Sequence, residues 1–516
     1  MLIVFGAGLV GVLVEAFVTR AQRFISQVVV TVVGLAAALV SVILLGVDGK
    51  SVSTASGTVV IDPPALFLQG TILVLSLLAV LTMAEQTAGD SGALTAQASA
   101  VPGSPEEAAA GRLNLVQSEV YPLLLLSVGG MLLFPASGDL LTMFVALEVF
   151  SLPLYIMCGL ARRRRLLSQE ASMKYFLLGS FSSAFFLFGS AMIYGFAGTV
   201  KLSGIASAIS VQSGDSTAGA VVGRDGLLLL GIGLLAVGLL FKVSAFPFQA
   251  WTPDVYQGAP TPVTGFMAAC TKVAAFGALL RIAYVAVPDA RWDWQPALWV
   301  VAVATMLIGS IVAIVQADVK RMLAYSSIAH AGFILAGLIS MDKAGVSGVL
   351  FYLAAYGFTT IGAFTLVGLV RNATRDGGVG GEATHLSQWA GLGKQSPLLA
   401  GLFTLFLLAF AGIPLTSGFT GKYAVFSAAL DSAPWGAWLV GFGVLASAIA
   451  VFFYVRVLVL MYFSDPEPDV EGTTVVVAPG ALTVLAVGIG AVATIVLGVM
   501  PTWGLHLAQN ASVFLP

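Results

Sequence analysis

The sequence predicts an all-α, polytopic membrane protein of about 14 transmembrane helices, and three observations predict it. Of its 516 residues, 58% are hydrophobic and only 9% are charged, against about 25% charged in ordinary soluble domains. Mean hydropathy is +0.99, and 58 glycines are scattered through the apolar runs. Those runs match the roughly 30 Å hydrocarbon core, where backbone polar groups must be paired inside the segment, which makes each run a helix. A water-soluble globule is excluded. The formal charge of -2, thinly spread, also excludes a nucleic-acid partner. Cys158 and Cys270 lie inside apolar stretches and read as small buried residues.

Taken in order, the spans fall at 2–19, 25–47, 64–84, 119–136, 139–161, 169–197, 227–249, 262–287, 297–317, 322–340, 347–370, 397–428, 436–462 and 480–500. The first opens the chain with no cleavage pattern and reads as a spanning helix. The run 397–428 is roughly 48 Å long as a helix, too long for one straight crossing. Gly412 and Pro414 sit in its middle and should break it. Segment 85–118, rich in Ala, Gly, Ser and Glu, reads as a flexible loop without chemistry.

Basic residues set the orientation. With the N-terminus outside, the inner loops collect Arg20, Arg23, Arg112, Arg162, Arg163, Arg164, Arg165, Lys320, Arg321, Arg371, Arg375 and Lys394, twelve in all. The outer loops hold five: Lys50, Lys201, Arg224, Arg291 and Lys343. Both termini are expected on the outer side.

A charge at the bilayer centre costs from about 2.5 kcal/mol upward, so each one needs a partner, a hydrated cavity or a function. Glu148 is the one carboxylate deep in a span; Glu15 lies near an end. Lys242, Lys272 and Lys422 lie in the seventh, eighth and twelfth spans, with Lys174 in the sixth and His330 in the tenth. One carboxylate cannot neutralise three central lysines. Burial disfavours an ammonium and a nearby carboxylate favours it, so a moving carboxylate can make a buried lysine load and release a proton. A row of such groups is a proton relay. The competing reading is a set of structurally paired or snorkelling side chains, which is preferred for Glu15, Arg281 and Arg456 and even with a relay role for Lys174 and His330. Prolines cluster near these charges: Pro153, Pro247, Pro262 and Pro414. Each frees a backbone carbonyl, and broken helices in two halves of a chain point to a transport site.

The stretch FKVSAFPFQAWTPDVYQGAPTPVTGF at 241–266 resembles the signature of the antiporter-like membrane subunits of respiratory complex I, the proton-pumping NADH:quinone oxidoreductase. Its TPDVYQGAPTPVT core is similar to the subunit N branch in particular. LEVFSLPLY at 147–155 and VKRMLAYSSIAHAGF at 319–333 agree, and the likeness spans the whole chain. It implies two inverted five-helix repeats with broken helices, at 119–287 and 297–462, preceded by three helices and a loop at 1–118 and followed by a last span and tail at 480–516. It implies Glu148 and Lys174 as a charge pair, Lys242 as the central proton carrier, Lys272 as the connecting lysine, His330 in the hydrophilic axis and Lys422 leading outward. Where relatives often carry a histidine, this chain has Gln249. A long lateral helix, as in subunit L, is absent from these 516 residues, and Lys422 stands where subunit M carries glutamate.

The resemblance implies no cofactor in this chain, with flavin, iron–sulfur clusters and quinone held by partner subunits. The implied partners are a second antiporter-like subunit, the small membrane subunits and the lipid bilayer. Alanine and glycine usage suggests a bacterial plasma membrane. The alternatives are a subunit of a multi-subunit sodium/proton antiporter, which shares this architecture, and a scaffold whose lysines are structural.

Overall fold

The computed structural model describes residues 1–49, 51–86, 92–95, 99–101, 104–106, 109, 117–162, 164–214, 224–373, 379–432, 435–465 and 474–515. Four of the basic residues used for orientation, Lys50, Arg112, Arg163 and Arg375, lie outside the described residues, as does much of segment 85–118.

The fold is all-α. Its helices are α1 Leu2–Phe17, α2 Arg20–Asp48, α3 Pro63–Ala84, α4 Val120–Leu133, α5 Leu140–Cys158, α6 Arg165–Ala197, α7 Leu202–Gly214 and α8 Arg224–Val243. There follow α9 Trp251–Gly258, α10 Thr261–Phe266, α11 Lys272–Arg281, α12 Arg291–Ile314, α13 Val319–Ile339 and α14 Lys343–Leu369. The last are α15 Pro397–Ala411, α16 Ser417–Ser432, α17 Gly436–Phe463, α18 Ala481–Val499 and α19 Pro501–Asn510. Every one of the fourteen apolar runs overlaps one of these helices or, for 262–287 and 397–428, two of them. Among the described residues, eleven helices are long and apolar enough to cross a membrane. Strands are confined to the ends of the bundle: a hairpin of β1 (Val52–Thr54) and β2 (Val59–Ile61), and a sheet in which β3 (Val370–Ala373) lies between β4 (Val379–Glu382) and β5 (Thr474–Val476).

Polarity is distributed inside out relative to a soluble protein. Large apolar side chains such as Phe17, Phe181, Trp438 and Phe463 are exposed, while Lys242, Lys272, His330 and Lys422 are 2, 1, 2 and 6% exposed. An apolar rind around a polar axis is stable only where the surrounding solvent is itself apolar. Helix packing uses small residues, as is usual where no hydrophobic force drives helices together. α6 and α8 meet at Gly189 and Gly231; a Cβ on Gly189 would lie 2.5 Å from the Leu235 amide.

Both expected breaks are present, with one correction. The seventh run stops being helical at Val243, not at residue 249, because Ser244 takes a positive φ of 65°. Pro247 therefore lies in the link to α9 and not within a helix. In the twelfth run α15 ends at Ala411, Gly412 turns left-handed at φ 81°, and α16 begins at Ser417. Pro153 does sit inside α5, and Pro262 occupies the first turn of α10, where its missing N–H is not needed. α10 and α11 form one rod with two π-helical segments, Met267–Thr271 and Ile282–Ala286.

Segment 85–118 is also more tied down than its composition suggests. Among its described residues, the Thr95 amide donates to the Leu160 carbonyl at 2.8 Å, and the Arg162 amide to Ala93 at 3.0 Å. Arg165, 6% exposed, donates to the Thr95 hydroxyl and to the Ala100 carbonyl. The buried guanidinium dictates this: it needs oxygen partners, and the segment supplies them.

Candidate functional site

Four of the six candidate residues line a buried axis through the middle of the bundle. Lys242, in the last turn of α8, donates to Ser151 Oγ at 2.7 Å and to the Tyr155 hydroxyl at 3.5 Å. Its Nζ lies 5.3–5.8 Å from the ring centres of Phe150, Tyr155, Tyr175 and Phe241. That aromatic box stabilises an ammonium through the negative ring faces while keeping bulk water out. Glu148, Ser151 and Tyr155 are spaced i, i+3, i+7 on α5 and so share the face that meets Lys242. The charge acting on Lys242 is that of Glu148. Glu148 Oε1 is buried and finds no hydrogen-bond partner among the described residues.

Lys272 follows the first π segment. Its Nζ donates to the Ser327 carbonyl at 2.5 Å and lies 3.4 Å from the Val243 carbonyl. The last carbonyls of a helix have no partner within it, and α8 ends at Val243, so the break itself presents this acceptor to Lys272. Ser327 lies one turn before His330 on α13. His330 Nδ1 shares a 2.7 Å hydrogen bond with the Tyr352 hydroxyl, and its Nε2 lies 3.5 Å from that of Tyr454, which also bonds Ser326. The ring packs on Phe410 and Tyr356, and the charges of both Lys272 and Lys422 reach it. Lys422, on α16, donates to the Phe410 and Ala411 carbonyls at 3.1 and 2.9 Å and sits 4.7 Å from the centre of the Phe333 ring. The C-terminus of α15 is a natural cation site, with unpaired carbonyls and the negative pole of the helix dipole.

Lys174 stands apart from this axis. Its carboxylate partners are Glu170 and Asp254, each at 2.7 Å, and not Glu148. The reason is helical geometry. Ser172 Oγ donates to the Tyr155 carbonyl, which sets the register of α5 against α6; Glu148 then lies roughly 7 Å further along the axis than Lys174. Side chains lean toward their own helix N-terminus, so on these antiparallel helices the two lean apart. Asp254 was not singled out in the sequence, although the TPDVYQGAP wording contains it. Its α9 is too short and polar to register as part of a span.

Three further charges singled out in the sequence have structural partners. Arg281 donates to Asp62 Oδ1 at 2.7 Å and to the Pro135 carbonyl at 2.6 Å, with both side chains of the ion pair about fully buried. Glu15 pairs with Arg23 at 3.3 Å and accepts from Gln27. Arg456 donates to the Ile314 carbonyl at 2.8 Å from an exposed position. Gln249 Oε1 is buried without a hydrogen-bond partner among the described residues.

Three of the described loops rich in basic residues meet at one end of the bundle. Lys320 pairs with Glu382 at 3.2 Å and donates to the Ala259 carbonyl at 2.8 Å, Arg164 reaches Thr384 at 2.9 Å, and Arg371 lies opposite Glu382 in the sheet. Burial alone would raise the Glu382 pKa; Lys320, Arg371 and the hydrogen bond from Thr261 overcome it and hold the carboxyl below its usual range. Among the described residues no three His, Cys, Asp or Glu side chains converge to hold a metal ion.

The family described as NADH:quinone oxidoreductase/Mrp antiporter, TM, matches residues 137–450. NADH-quinone oxidoreductase subunit N of Rhodococcus opacus (strain B4) is 56% identical, over 100% of this chain and 95% of the relative. The subunit N of Mycobacteroides abscessus is 54% identical over 100% and 96%. Among solved structures, a chain of respiratory complex I from Thermus thermophilus with bound aureothin superposes with a TM-score of 0.76 at 32% identity, covering 98% of this chain and 99% of that one. A chain of the Mrp complex from Dietzia sp. DQ12-45-1b gives 0.78 at 22% identity over 99% and 97%, a likeness of fold.

Proposed function

The chain belongs to the NADH:quinone oxidoreductase/Mrp antiporter family, in its subunit N branch, and is a membrane subunit of an NADH-quinone oxidoreductase; from that premise we propose that it carries protons along Lys242, Lys272, His330 and Lys422, driven by redox chemistry in partner subunits. The observation that carries this reading is the bridging position of Lys272. One ammonium spans the open end of the helix that bears Lys242 and the carbonyl of Ser327, a turn before His330. Lys422 then grips the carbonyl of Phe410, whose ring packs on His330.

Each step has chemical content. Glu148 and Lys242 form the loading site: the free carboxylate oxygen favours the charged lysine, and any cation drawn toward Glu148 weakens that preference. Lys174, held by Glu170 and Asp254, leaves Glu148 to Lys242 in this state. Water between the polar groups completes the path; the orphan oxygens of Glu148 and Gln249 are the acceptors such water needs. The two halves, 119–287 and 297–462, act as repeated half-channels joined at Lys272. Flavin, iron–sulfur and quinone chemistry belongs to partner subunits, among them a second antiporter-like subunit and the small membrane subunits. The chain sits in a bacterial plasma membrane with its basic end inside and both termini outside.

The test is Lys242→Ala in the assembled complex, read as protons translocated per NADH oxidised. The expected outcome is a lower stoichiometry with the complex still assembled. An unchanged stoichiometry removes Lys242 from the path.

A further inference from the structure

The two halves of the chain touch electrostatically in a second place, away from the buried axis. Asp254 lies on α9, just after the first break. Its Oδ2 accepts from Lys174 of α6 at 2.7 Å and its Oδ1 from Arg321 of α13 at 2.6 Å. Arg321 is held in turn by Gln257 Oε1 at 3.0 Å, and Gln257 donates to Asp318 at 3.0 Å. Asp318 caps α13 by accepting from the Arg321 amide. One carboxylate thus serves two cations from opposite halves, at the N-terminus of the helix that carries Ser327 and His330.

We propose that Asp254 is a positioning residue that links the two halves across the basic end, tying Lys174 of α6 to Arg321 and fixing the register of α13 through Arg321. A carboxylate shared between two cations is held less tightly by each than by one alone, so displacing Lys174 leaves Asp254 wholly to Arg321. The side chains of Lys174, Asp254 and Arg321 are 41, 31 and 28% exposed, so water screens the pairs and keeps the exchange cheap. A deeply buried triad could not exchange partners, because the unpaired charge would be stranded. The consequence is a connection between Lys174 and the helix of His330 that does not pass through Lys242 or Lys272.

This inference rests on the pumping reading above for its functional half, and the experiment separates the two. Asp254→Asn, Asp254→Glu, Lys174→Met and the Lys174→Met/Asp254→Asn double variant are compared in the assembled complex, with Lys242→Ala alongside. Asp254→Asn is expected to slow NADH-driven proton uptake by roughly fivefold or more, the lower range of coupling between sites. Asp254→Glu should recover most of it, and the double variant should fall no further than the worse single one. Hydrogen exchange in the first turns of α13 should quicken in Asp254→Asn. Normal uptake in Asp254→Asn, an equal defect in Asp254→Glu, an additive double variant, or unchanged exchange in α13 each overturns the link. If Lys242→Ala pumps normally while the exchange change is present, the pumping reading fails and the bridge stands.

Discussion

The two helix breaks solve one problem, an ammonium inside a bilayer, by different means. At the first, Lys242 precedes the break and is solvated by hydroxyls from another helix, inside an aromatic box. At the second, Lys422 follows the break and is solvated by two carbonyls of the half-helix before it. Hydroxyls accept and donate: Ser151 accepts from Lys242 and donates to the Leu147 carbonyl at 2.5 Å. Carbonyls only accept. The first break therefore offers a neighbour able to pass a proton on, while the second offers a cradle that holds a cation and releases it only to water. The turns differ too. Ser244 takes the left-handed conformation at the first break and is steadied by a hydrogen bond from Thr252 at 2.7 Å, whereas the second turns through two left-handed residues, Gly412 and Leu415.

The strongest challenge to that local contrast comes from Arg281, which clamps the helix between the breaks. Asp62→Ala strands a buried guanidinium and should cost about 3–5 kcal/mol, seen as loss of assembled complex. The complexes that do assemble should keep their proton stoichiometry. A changed stoichiometry would mean the breaks differ through the whole bundle and not through their own partners. Next comes Ser151→Ala, which removes the hydrogen bond to a charged group at Lys242, worth about 1.5–3 kcal/mol. Proton-uptake kinetics should slow at the first break; among the described residues no comparable single side chain accepts from Lys422 at the second, where the acceptors are backbone. Gly412→Ala places a methyl 2.9 Å from the Lys422 side chain and forces a left-handed alanine, about 1–2 kcal/mol. Ser244→Gly at the first break relieves similar strain but forfeits the Thr252 bond, so thermal stability should change less than in Gly412→Ala.

The smallest expected effect lies outside the bilayer. The Glu382 pKa is depressed in the folded chain, so its contribution to stability is present above the ordinary carboxylate range and is lost as pH falls through the folded value. Hydrogen-exchange protection of strands 370–373 and 379–382, taken relative to the intrinsic rate at each pH, should fall in acid, and Glu382→Gln should remove that fall. A dependence that persists in the variant would assign it to another group.

Composition and period settled much of this protein. Apolar runs of the right length can only be helices in lipid, because unpaired backbone is too costly there, and that constraint is readable from the chain alone. The break in 397–428 was legible for the same reason, since length forbade one straight helix and Gly412 with Pro414 offered the place. The buried lysines were legible as exceptions to an apolar rule. What the sequence does not contain is register and direction. Whether Lys174 meets Glu148 depends on how α5 and α6 slide against each other and on which way side chains lean, and the structure gives Lys174 to Asp254 and Glu170. Asp62 and Asp254 look like surface carboxylates in sequence, and only packing reveals one as the fully buried partner of Arg281 and the other as the carboxylate shared by Lys174 and Arg321. The end of α8 at Val243 was also decided in three dimensions, where Lys272, from another helix, satisfies the carbonyl the break sets free. Hydrophobic period is a property of one segment at a time, whereas a charge pair is a property of two, and only the tertiary fold brings the second one near.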